Sequence, residues 1–298
     1  MKLISGSSNL PLAQSLAKLL NIDLVKVKIS KYANDEKQIE ILDNVQGESV
    51  ILVQSFSQPV DEYIMEFLLL TDALERMGAR HINAVIPWYG YSLQDKVFKE
   101  GEPLSAKVVA NLVSTSYVKR VFILDVHNTS IAGFFSIPTH HLSALDLFTK
   151  FAKNTYDLTE TVVASPDFGG LKRAWQFAES LGVDWVNIDK HRDLQTGEIT
   201  QMELHGDVND KTVLVFDDVS VSGGTVVEAA EILKKSGANK VHFLVTHGLF
   251  AADAQSKLNT PMVDTIIITN SIHHPHLPDK VTVIDCAELF ATALRDWM

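Results

Sequence analysis

The segment TVLVFDDVSVSGGT, Thr212 to Thr225, places two carboxylates and a hydroxyl-rich turn directly after an apolar run. That run is typical of a parallel strand buried on both faces, and open α/β sheets bind ligands at the carboxyl ends of such strands. Backbone N–H groups at a glycine-flanked helix start can surround a phosphate, while nearby carboxylates suit a ligand that also offers hydroxyls. The segment therefore indicates a phosphorylated sugar, bound by Asp217, Asp218, Ser222, Gly223, Gly224 and Thr225. The alternative is a helix-capping loop followed by an ordinary turn.

Two further segments place polar side chains beside strands. VFILDVHNTSIAGFF puts Asp125 and His127 after an apolar run, and VVASPDFGGLKRA puts Asp167 before a Gly-Gly helix start. Both could hold a hydrated cation near phosphates, with His127 either as a ligand or as a donor to phosphate. For His127 alone, a hydrogen-bonded core histidine is the alternative.

Two cations follow another strand in WVNIDKHRDLQTGEI, where Lys190 and Arg192 extend into a predicted polar loop. Positioned Lys and Arg side chains neutralise charge that develops during phosphoryl transfer. A solvated charged hairpin is the alternative interpretation.

The segment KYANDEKQIEI exposes Asn34 and Glu36 between two predicted strands. Amide and carboxylate groups can read the donor and acceptor edges of a base. This spacing by itself is a weak signal.

Composition excludes several classes of protein. The chain has 298 residues, is 46% hydrophobic and carries a formal charge of −11, which disfavours a nucleic-acid surface. We expect no membrane span, because the apolar runs are short strands. A single cysteine, Cys286, excludes an internal disulfide framework and fits a cytoplasmic protein, where it is expected to be a small buried strand residue.

Three histidines, His273, His274 and His276, lie in SIHHPHLP. The prolines interrupt any regular ligand spacing, so a surface loop is favoured over a metal site.

Strand-like and amphipathic segments alternate from end to end, which predicts an α/β protein with mostly parallel sheets. The two halves repeat one rhythm of strand, polar loop, helix and strand, which indicates architectural duplication. We expect a boundary near His140 to Ser143, with domains at 1–141 and 142–285. The terminal helix 286–298 can join the first domain. The predicted strands include 49–54, 82–87, 121–126, 161–164, 185–188, 213–216, 241–246 and 265–268, and the predicted helices include 61–77, 103–116, 171–181 and the segment VVEAAEILKKSGA.

Taken together, nine segments in order resemble the ribose-phosphate diphosphokinase (phosphoribosyl pyrophosphate synthetase) family. They are SGSSN, YANDE, VIPWYGYSLQDK, GEPLSAKVVANL, DVHNTSIAGFFSIP, VVASPDFGGLKRA, IDKHR, FDDVSVSGGT and VTHGLF. The resemblance implies two phosphoribosyltransferase-type domains related by duplication. It also implies transfer of the β,γ-diphosphate of ATP to the C1 hydroxyl of ribose 5-phosphate, with release of AMP.

The resemblance assigns roles to individual residues of this chain. Adenine would be held across a subunit contact in a homodimer or homohexamer, and Mg²⁺ would serve as the cofactor. The Lys190 and Arg192 side chains would stabilise the transition state, and the acid pair would hold the ribose hydroxyls. The remaining assignments are ATP at Tyr32, Asn34, Glu36, Gln94, Asp95 and His127, metal at His127 and Asp167, and the 5-phosphate at Ser222 to Thr225.

This chain departs from the family pattern at three positions. Leu93 replaces a usual arginine, Val221 replaces an acid that often follows the acid pair, and Val126 replaces a usual Leu or Ile. The first two keep open a second hypothesis, a non-catalytic regulatory subunit that binds nucleotides. A salvage phosphoribosyltransferase is a third, although such an enzyme would not need YANDE or IDKHR.

Overall fold

The computed structural model describes residues 1–192, 199–251 and 253–297, and for 190–192, 199–202 and 255 it describes the backbone alone. The chain forms two compact units. Unit 1 contains Met1–Ser143, Asn270–His273 and Asp285–Met298, and unit 2 contains Ala144–Thr269 and His274–Ile284. None of the helices in the described ranges combines the length and apolar character needed to cross a bilayer.

The strands of unit 1 are β1 (Lys2–Ser5), β2 (Val27–Lys31), β3 (Lys37–Ile41), β4 (Ser49–Val53), β5 (His81–Ile86), β6 (Val118–Leu124) and β7 (Thr139–Leu142). Five of them form a sheet in the order β1-β4-β5-β6-β7, and every neighbouring pair in it is parallel. The other two, β2 and β3, form an antiparallel hairpin.

The helices of unit 1 are α1 (Leu10–Leu20), α2 (Val60–Arg76), α3 (Ser105–Thr115) and α8 (Ala287–Arg295). One sheet face, with Ile4, Leu52 and Ile123, packs in a single core with Phe67 of α2 and Val109 of α3. Residues that alternate with these along the strands are buried as well. Both faces are therefore covered, as expected for a parallel sheet.

The strands of unit 2 are β8 (Thr161–Ser165), β9 (Trp185–Arg192), β10 (Ile199–His205), β11 (Thr212–Ser220), β12 (Lys240–Gly248), β13 (Thr265–Thr269) and β14 (Val281–Ile284). They form one sheet in the order β10-β9-β8-β11-β12-β13-β14. Only the pairing of β10 with β9 is antiparallel among these described strands.

The helices of unit 2 are α4 (Leu145–Thr155), α5 (Leu171–Leu181), α6 (Gly224–Lys235) and α7 (Ala254–Leu258). On one face of the sheet, Val213 and Val215 share a core with the buried side of α6. On the other, the Phe216 ring lies 5.5 Å from Phe148 of α4 and 4.7 Å from Phe177 of α5. The first half of β11 is thus packed on both faces.

One order of elements occurs in both units. In each unit a first strand is followed by a helix, then by two antiparallel strands, and then by a strand that pairs with the first strand. In unit 1 these elements are β1, α1, β2–β3 and β4, and in unit 2 they are β8, α5, β9–β10 and β11. The α/β class with mostly parallel sheets and the predicted repetition of one architecture are confirmed.

The structure corrects three predictions about elements. Lys190 and Arg192 do not extend into a loop, because their backbone continues β9 and pairs with β10. A register shift between Ile199 and Gln201 breaks the apolar alternation of β10, which hid this strand. Cys286 is buried as predicted, but it precedes α8 instead of lying in a strand.

Phe67→Ala is expected to lower the free energy of unfolding by about 3–5 kcal/mol in a urea titration. The ring is fully buried and lies edge-on to Phe56, with 5.4 Å between ring centroids. Leu69→Ala on the same helix is the matched control, because Leu69 is 36% exposed and its loss should cost about 1 kcal/mol or less. Equal losses in both variants would contradict this account of the core.

Candidate active site

An ion pair joins the two adjacent acids of β11 to α5. Nη1 of Arg173 lies 3.1 Å from Oδ1 of Asp217 and also contacts Oδ1 of Asp218. The sequence predicts these acids after the strand, whereas the structure places them within its second half. The pairing of β11 with β8 stops at Val215, whereas its pairing with β12 continues to Ser220. The two acids therefore lie just beyond the part of β11 that pairs with β8, on a strand that is still hydrogen-bonded to β12.

Burial raises the pKa of the Asp217 carboxyl well above its usual range. The neighbouring carboxylate of Asp218 raises this pKa further, the guanidinium of Arg173 lowers it, and the carboxylate of Asp167 raises it again. The Asp218 side chain is also buried, with 5% exposed. Adjacent buried acids of this kind are costly, and such strained charges are common where a ligand is bound.

The turn after β11 leaves backbone donors exposed at the start of α6. Gly223 has a φ of +74°, and a Cβ there would lie 2.9 Å from Cδ2 of Leu258, so glycine is needed on both counts. Ser222 and Thr225 are exposed and Gly224 is half-buried. Among the described residues, no side chain caps the first turn of α6. Uncapped N–H groups at a helix start attract anions.

Asp167 follows β8 as predicted and is half-buried. Its Oδ1 accepts a hydrogen bond from the backbone N–H of Gly170 at 3.0 Å, which caps a short 3-10 turn at Phe168–Gly170. Because its charge raises the pKa of Asp217, this carboxylate belongs to the same electrostatic group as the acid pair. Unit 2 therefore joins three acids, one guanidinium and one open helix start.

Unit 1 brings together two segments that follow neighbouring parallel strands. Nδ2 of Asn128 donates to Oδ2 of Asp95 at 2.9 Å, and Oγ of Ser105 donates to Oε1 of Gln94 at 2.6 Å. Asp95 is buried. His127 is exposed, so the alternative interpretation of this residue as a core histidine is wrong. The segments after β5 and β6 thus form one polar surface at the carboxyl ends of these strands.

The hairpin of β2 and β3 presents its tip to solvent. Tyr32 is 54% exposed, and Asn34 and Glu36 are exposed as well. Oδ1 of Asn34 accepts from the backbone N–H of Glu36 at 3.4 Å, which closes the turn. Within the described part of the chain, the side chains of Tyr32 and Glu36 make no hydrogen bond or ion pair, so their polar groups are available to a ligand.

The side chains of Lys190 and Arg192 lie outside the described residues, so their predicted role remains a prediction. Sequence reasoning missed Arg173 and Asn128 although both lie inside quoted motifs. The signal for Arg173 is its place in the first turn of a helix that follows an acid at a strand end. Its contact with Asp217, 44 residues away, has no local signature.

The raised pKa of Asp217 sets the sign of a pH dependence. A carboxyl with a raised folded-state pKa stabilises the fold fully below its unfolded pKa of about 4, and this contribution is lost as the pH rises through the folded-state pKa. Asp217→Asn cannot ionise and is expected to unfold at higher urea than the wild type at pH 8. The difference in urea midpoint between this variant and the wild type should narrow toward pH 4.

Arg173→Met is the matched variant, with the opposite expected effect on stability at pH 8. It removes the cation that lowers the pKa of Asp217, so it should be less stable than the wild type at pH 8. If Asp217→Asn and the wild type differ in urea midpoint by the same amount at pH 4 and pH 8, ionisation of this carboxyl does not destabilise the fold.

Comparisons with known proteins cover nearly the whole chain. A family model described as the N-terminal domain of ribose phosphate pyrophosphokinase matches residues 1–116, and one described as a phosphoribosyl synthetase-associated domain matches residues 186–297. A ribose-phosphate pyrophosphokinase of Thermotoga maritima is 38% identical over 297 residues, which cover 99% of this chain and 94% of the relative. The protein of the same name from Rhizobium meliloti is 41% identical, with coverage of 99% and 96%.

A solved structure gives the same result for the fold. The crystal structure of phosphoribosylpyrophosphate synthetase from Mycobacterium smegmatis matches with a TM-score of 0.92 and 32% sequence identity, covering 99% of this chain and 98% of that one. Sequence and fold are therefore similar along nearly the full length of both chains. The chain belongs to the ribose-phosphate pyrophosphokinase (diphosphokinase) family.

Proposed function

We propose that the protein transfers the diphosphate group of ATP to the C1 hydroxyl of ribose 5-phosphate, giving 5-phosphoribosyl 1-diphosphate and AMP for nucleotide biosynthesis. One observation carries the proposal. In a member of this family, two adjacent acids joined to Arg173 by an ion pair lie on the strand that leads into the open, glycine-flanked start of α6. Acids for sugar hydroxyls and N–H donors for a phosphate are what ribose 5-phosphate requires.

Unit 2 supplies the sugar-phosphate site. The 5-phosphate binds Ser222, Gly223, Gly224 and Thr225, and the ribose hydroxyls donate to Asp217 and Asp218. Hydroxyl donors stabilise ionised carboxylates, so binding of the sugar offsets the repulsion between the two acids. The free protein is thus arranged for a ligand that is rich in hydroxyl groups.

The nucleotide binds residues of unit 1. Tyr32 stacks on adenine and Asn34 and Glu36 read its edge, while Gln94, Asp95 and His127 face the rest of ATP. Support comes from the exposed hairpin tip and from the polar surface that Asp95 and Asn128 build. Because the side chains of Tyr32 and Glu36 are exposed and make no hydrogen bond or ion pair within the described residues, we propose that they serve a second subunit in a homodimer or homohexamer.

The reaction is an in-line displacement at the β-phosphorus of ATP. The C1 oxygen forms a bond to this phosphorus while the bond from phosphorus to the α-phosphate oxygen breaks. AMP leaves with the electron pair, and the hydroxyl proton passes to solvent or to a nearby oxygen. Lys190 and Arg192 neutralise the charge that spreads over the transferring group, because this chemistry depends on alignment and charge more than on a strong base.

The donor set fits Mg²⁺ as the cofactor. Asp167 uses Oδ1 for its helix cap, so its second oxygen can face a cation. Mg²⁺ binds through one or two carboxylates, several waters and substrate phosphates, so a closed cage of three protein ligands is not needed. His127 is exposed and can bind the metal or a phosphate. When bound, the cation supplies charge neutralisation for the diphosphate.

A non-catalytic regulatory subunit is the second candidate function. It is favoured by Val221, 38% exposed on the turn after β11, and by the half-buried Leu93, because each stands where the family usually has a charged residue. Such a subunit would bind ATP without forming AMP. A single buried cysteine supports the cytoplasm as the location of either form.

The test is the purified protein with ATP, ribose 5-phosphate and Mg²⁺, followed for AMP and 5-phosphoribosyl 1-diphosphate in equal amounts. ATP binding without AMP formation would favour the regulatory subunit. Formation of a nucleotide and pyrophosphate from a base and 5-phosphoribosyl 1-diphosphate, with no AMP formed from ATP, would favour a salvage phosphoribosyltransferase.

Lys190→Ala is expected to lower kcat by roughly a hundredfold or more, as loss of a positioned cation does in phosphoryl transfer. The Kd for ribose 5-phosphate should stay within about twofold, because the lysine acts on charge present only in the transition state. Lys211→Ala, in unit 2 but before β11, is the control for loss of one positive charge. A parallel loss of sugar binding and turnover in Lys190→Ala would contradict the assigned role.

A further inference from the structure

Two lysines flank the tip of the hairpin that carries the adenine residues. Lys31 ends β2, Lys37 begins β3, and the two are directly paired across the strands. Both reach α2. Nζ of Lys31 lies 3.0 Å from Oε2 of Glu62, and Nζ of Lys37 lies 2.6 Å from Oε2 of Glu66 and 3.7 Å from Oε2 of Glu62. We name these four side chains the lysine clamp.

Glu66 is the buried end of this clamp. Its side chain is fully buried, and that of Lys37 is 10% exposed. The carboxylate also accepts from the backbone N–H of Ser7 at 2.6 Å, from Oγ of the same serine, and from Nε2 of Gln54 at 2.9 Å. A charge held by so many donors has little freedom to move, so the ammonium group of Lys37 is fixed in place.

The position of Lys37 conflicts with simple core packing. Lys37, Ile39 and Ile41 alternate along β3 on its more buried side, and the two isoleucines pack with the core of unit 1. Lys37 is therefore a charged residue on the side of β3 that is otherwise apolar. Replacing a buried ion pair with apolar groups is often neutral or stabilising, so stability does not account for this pair. The position of the hairpin accounts for it, because the Lys37–Glu66 pair holds one end of the hairpin tip against α2.

The same helix anchors a second predicted nucleotide segment. Oη of Tyr91 donates to Oδ1 of Asp61 at 2.6 Å, and Tyr91 lies three residues before Gln94 with a φ of +66°. Asp61, Glu62 and Glu66 thus attach both the hairpin and the loop after β5 to α2. One acidic helix edge sets the positions of both segments.

We propose that the Lys37–Glu66 ion pair is a positioning device for ATP, which holds the tip with Tyr32, Asn34 and Glu36 in the geometry that binds adenine. The proposal rests on the proposed function for the identity of the ligand. Lys37 and Glu66 need not touch the nucleotide. They act through the tip, whose ends adjoin the clamp on both strands.

The test compares ATP and ribose 5-phosphate binding by calorimetry, together with kcat and KM, in four full-length variants. They are Lys37→Met, Lys37→Arg, the double variant Lys37→Met with Glu66→Gln, and Lys28→Met as control. Lys28 lies exposed on the same hairpin and makes no ion pair among the described residues. Urea midpoints and the mass by light scattering are measured for each.

Lys37→Met is expected to raise the Kd for ATP roughly ten- to hundredfold, as displacement of a binding group by about 1 Å does. The assembly mass should be unchanged, and the Kd for ribose 5-phosphate and the binding and kinetic constants of Lys28→Met should stay within about twofold of the wild type. Lys37→Arg keeps the charge and should recover most of the ATP affinity. The double variant buries no unpaired charge, so it should recover the urea midpoint while its ATP affinity stays low.

The decisive result is this separation of stability from affinity. Recovery of both in the double variant would overturn the proposal, since neutral packing would then position the tip equally well. A changed assembly mass, or equal loss of affinity for both ligands, would overturn it too. Failure of the proposed function looks different, because the wild type would then bind ATP without forming AMP while the clamp variants still lost ATP affinity.

Discussion

Asp217 and Asp218 place two carboxylates next to each other on a strand that is buried on both sides, where each makes ionisation of the other more costly. The surrounding elements are arranged around this repulsion. The strand continues past the end of β8 but stays paired to β12, so the acids are held in place while one side is open. Arg173, in the first turn of α5, offsets part of the charge. The glycine-flanked turn then presents N–H groups a few residues further along the chain. A strained acid pair next to a phosphate site is consistent with a hydroxyl-rich phosphate ester as the ligand.

The two units use the same place in one architecture for different purposes. In unit 2, the strand end after β11 carries the acid pair. In unit 1, the corresponding strand β4 is followed by Gln54, whose amide is fully buried and donates to Glu66. The antiparallel pairs correspond too, since β2–β3 carries the proposed adenine residues and β9–β10 carries the backbone of Lys190 and Arg192. A repeated scaffold thus gives one unit a fixed polar network and the other a charged, open site.

Local patterns predicted the elements well, because burial on both faces leaves continuous apolar runs. The bounds of α5 match the prediction, and β4 and β5 differ from it by a residue or so. The face of α6 that carries Val226, Ala229 and Leu233 is buried. The bulged strand β10 was missed because its alternation is interrupted. The contacts of Arg173 with the acids and of Lys37 with Glu66 span 44 and 29 residues, so tertiary packing alone brings them together. No pattern along the chain reveals such pairs.

The central claim is that the acid pair recognises ribose hydroxyls. Calorimetric titration of ribose 5-phosphate and 2-deoxyribose 5-phosphate into the wild type and into the Asp217→Asn/Asp218→Asn variant tests it most directly. A hydroxyl bonded to a charged acceptor contributes about 1.5–3 kcal/mol, so the wild type should prefer ribose 5-phosphate roughly ten- to hundredfold. In the variant the preference should fall to a few-fold, while binding of 2-deoxyribose 5-phosphate changes little. An unchanged preference in the variant would contradict the claim.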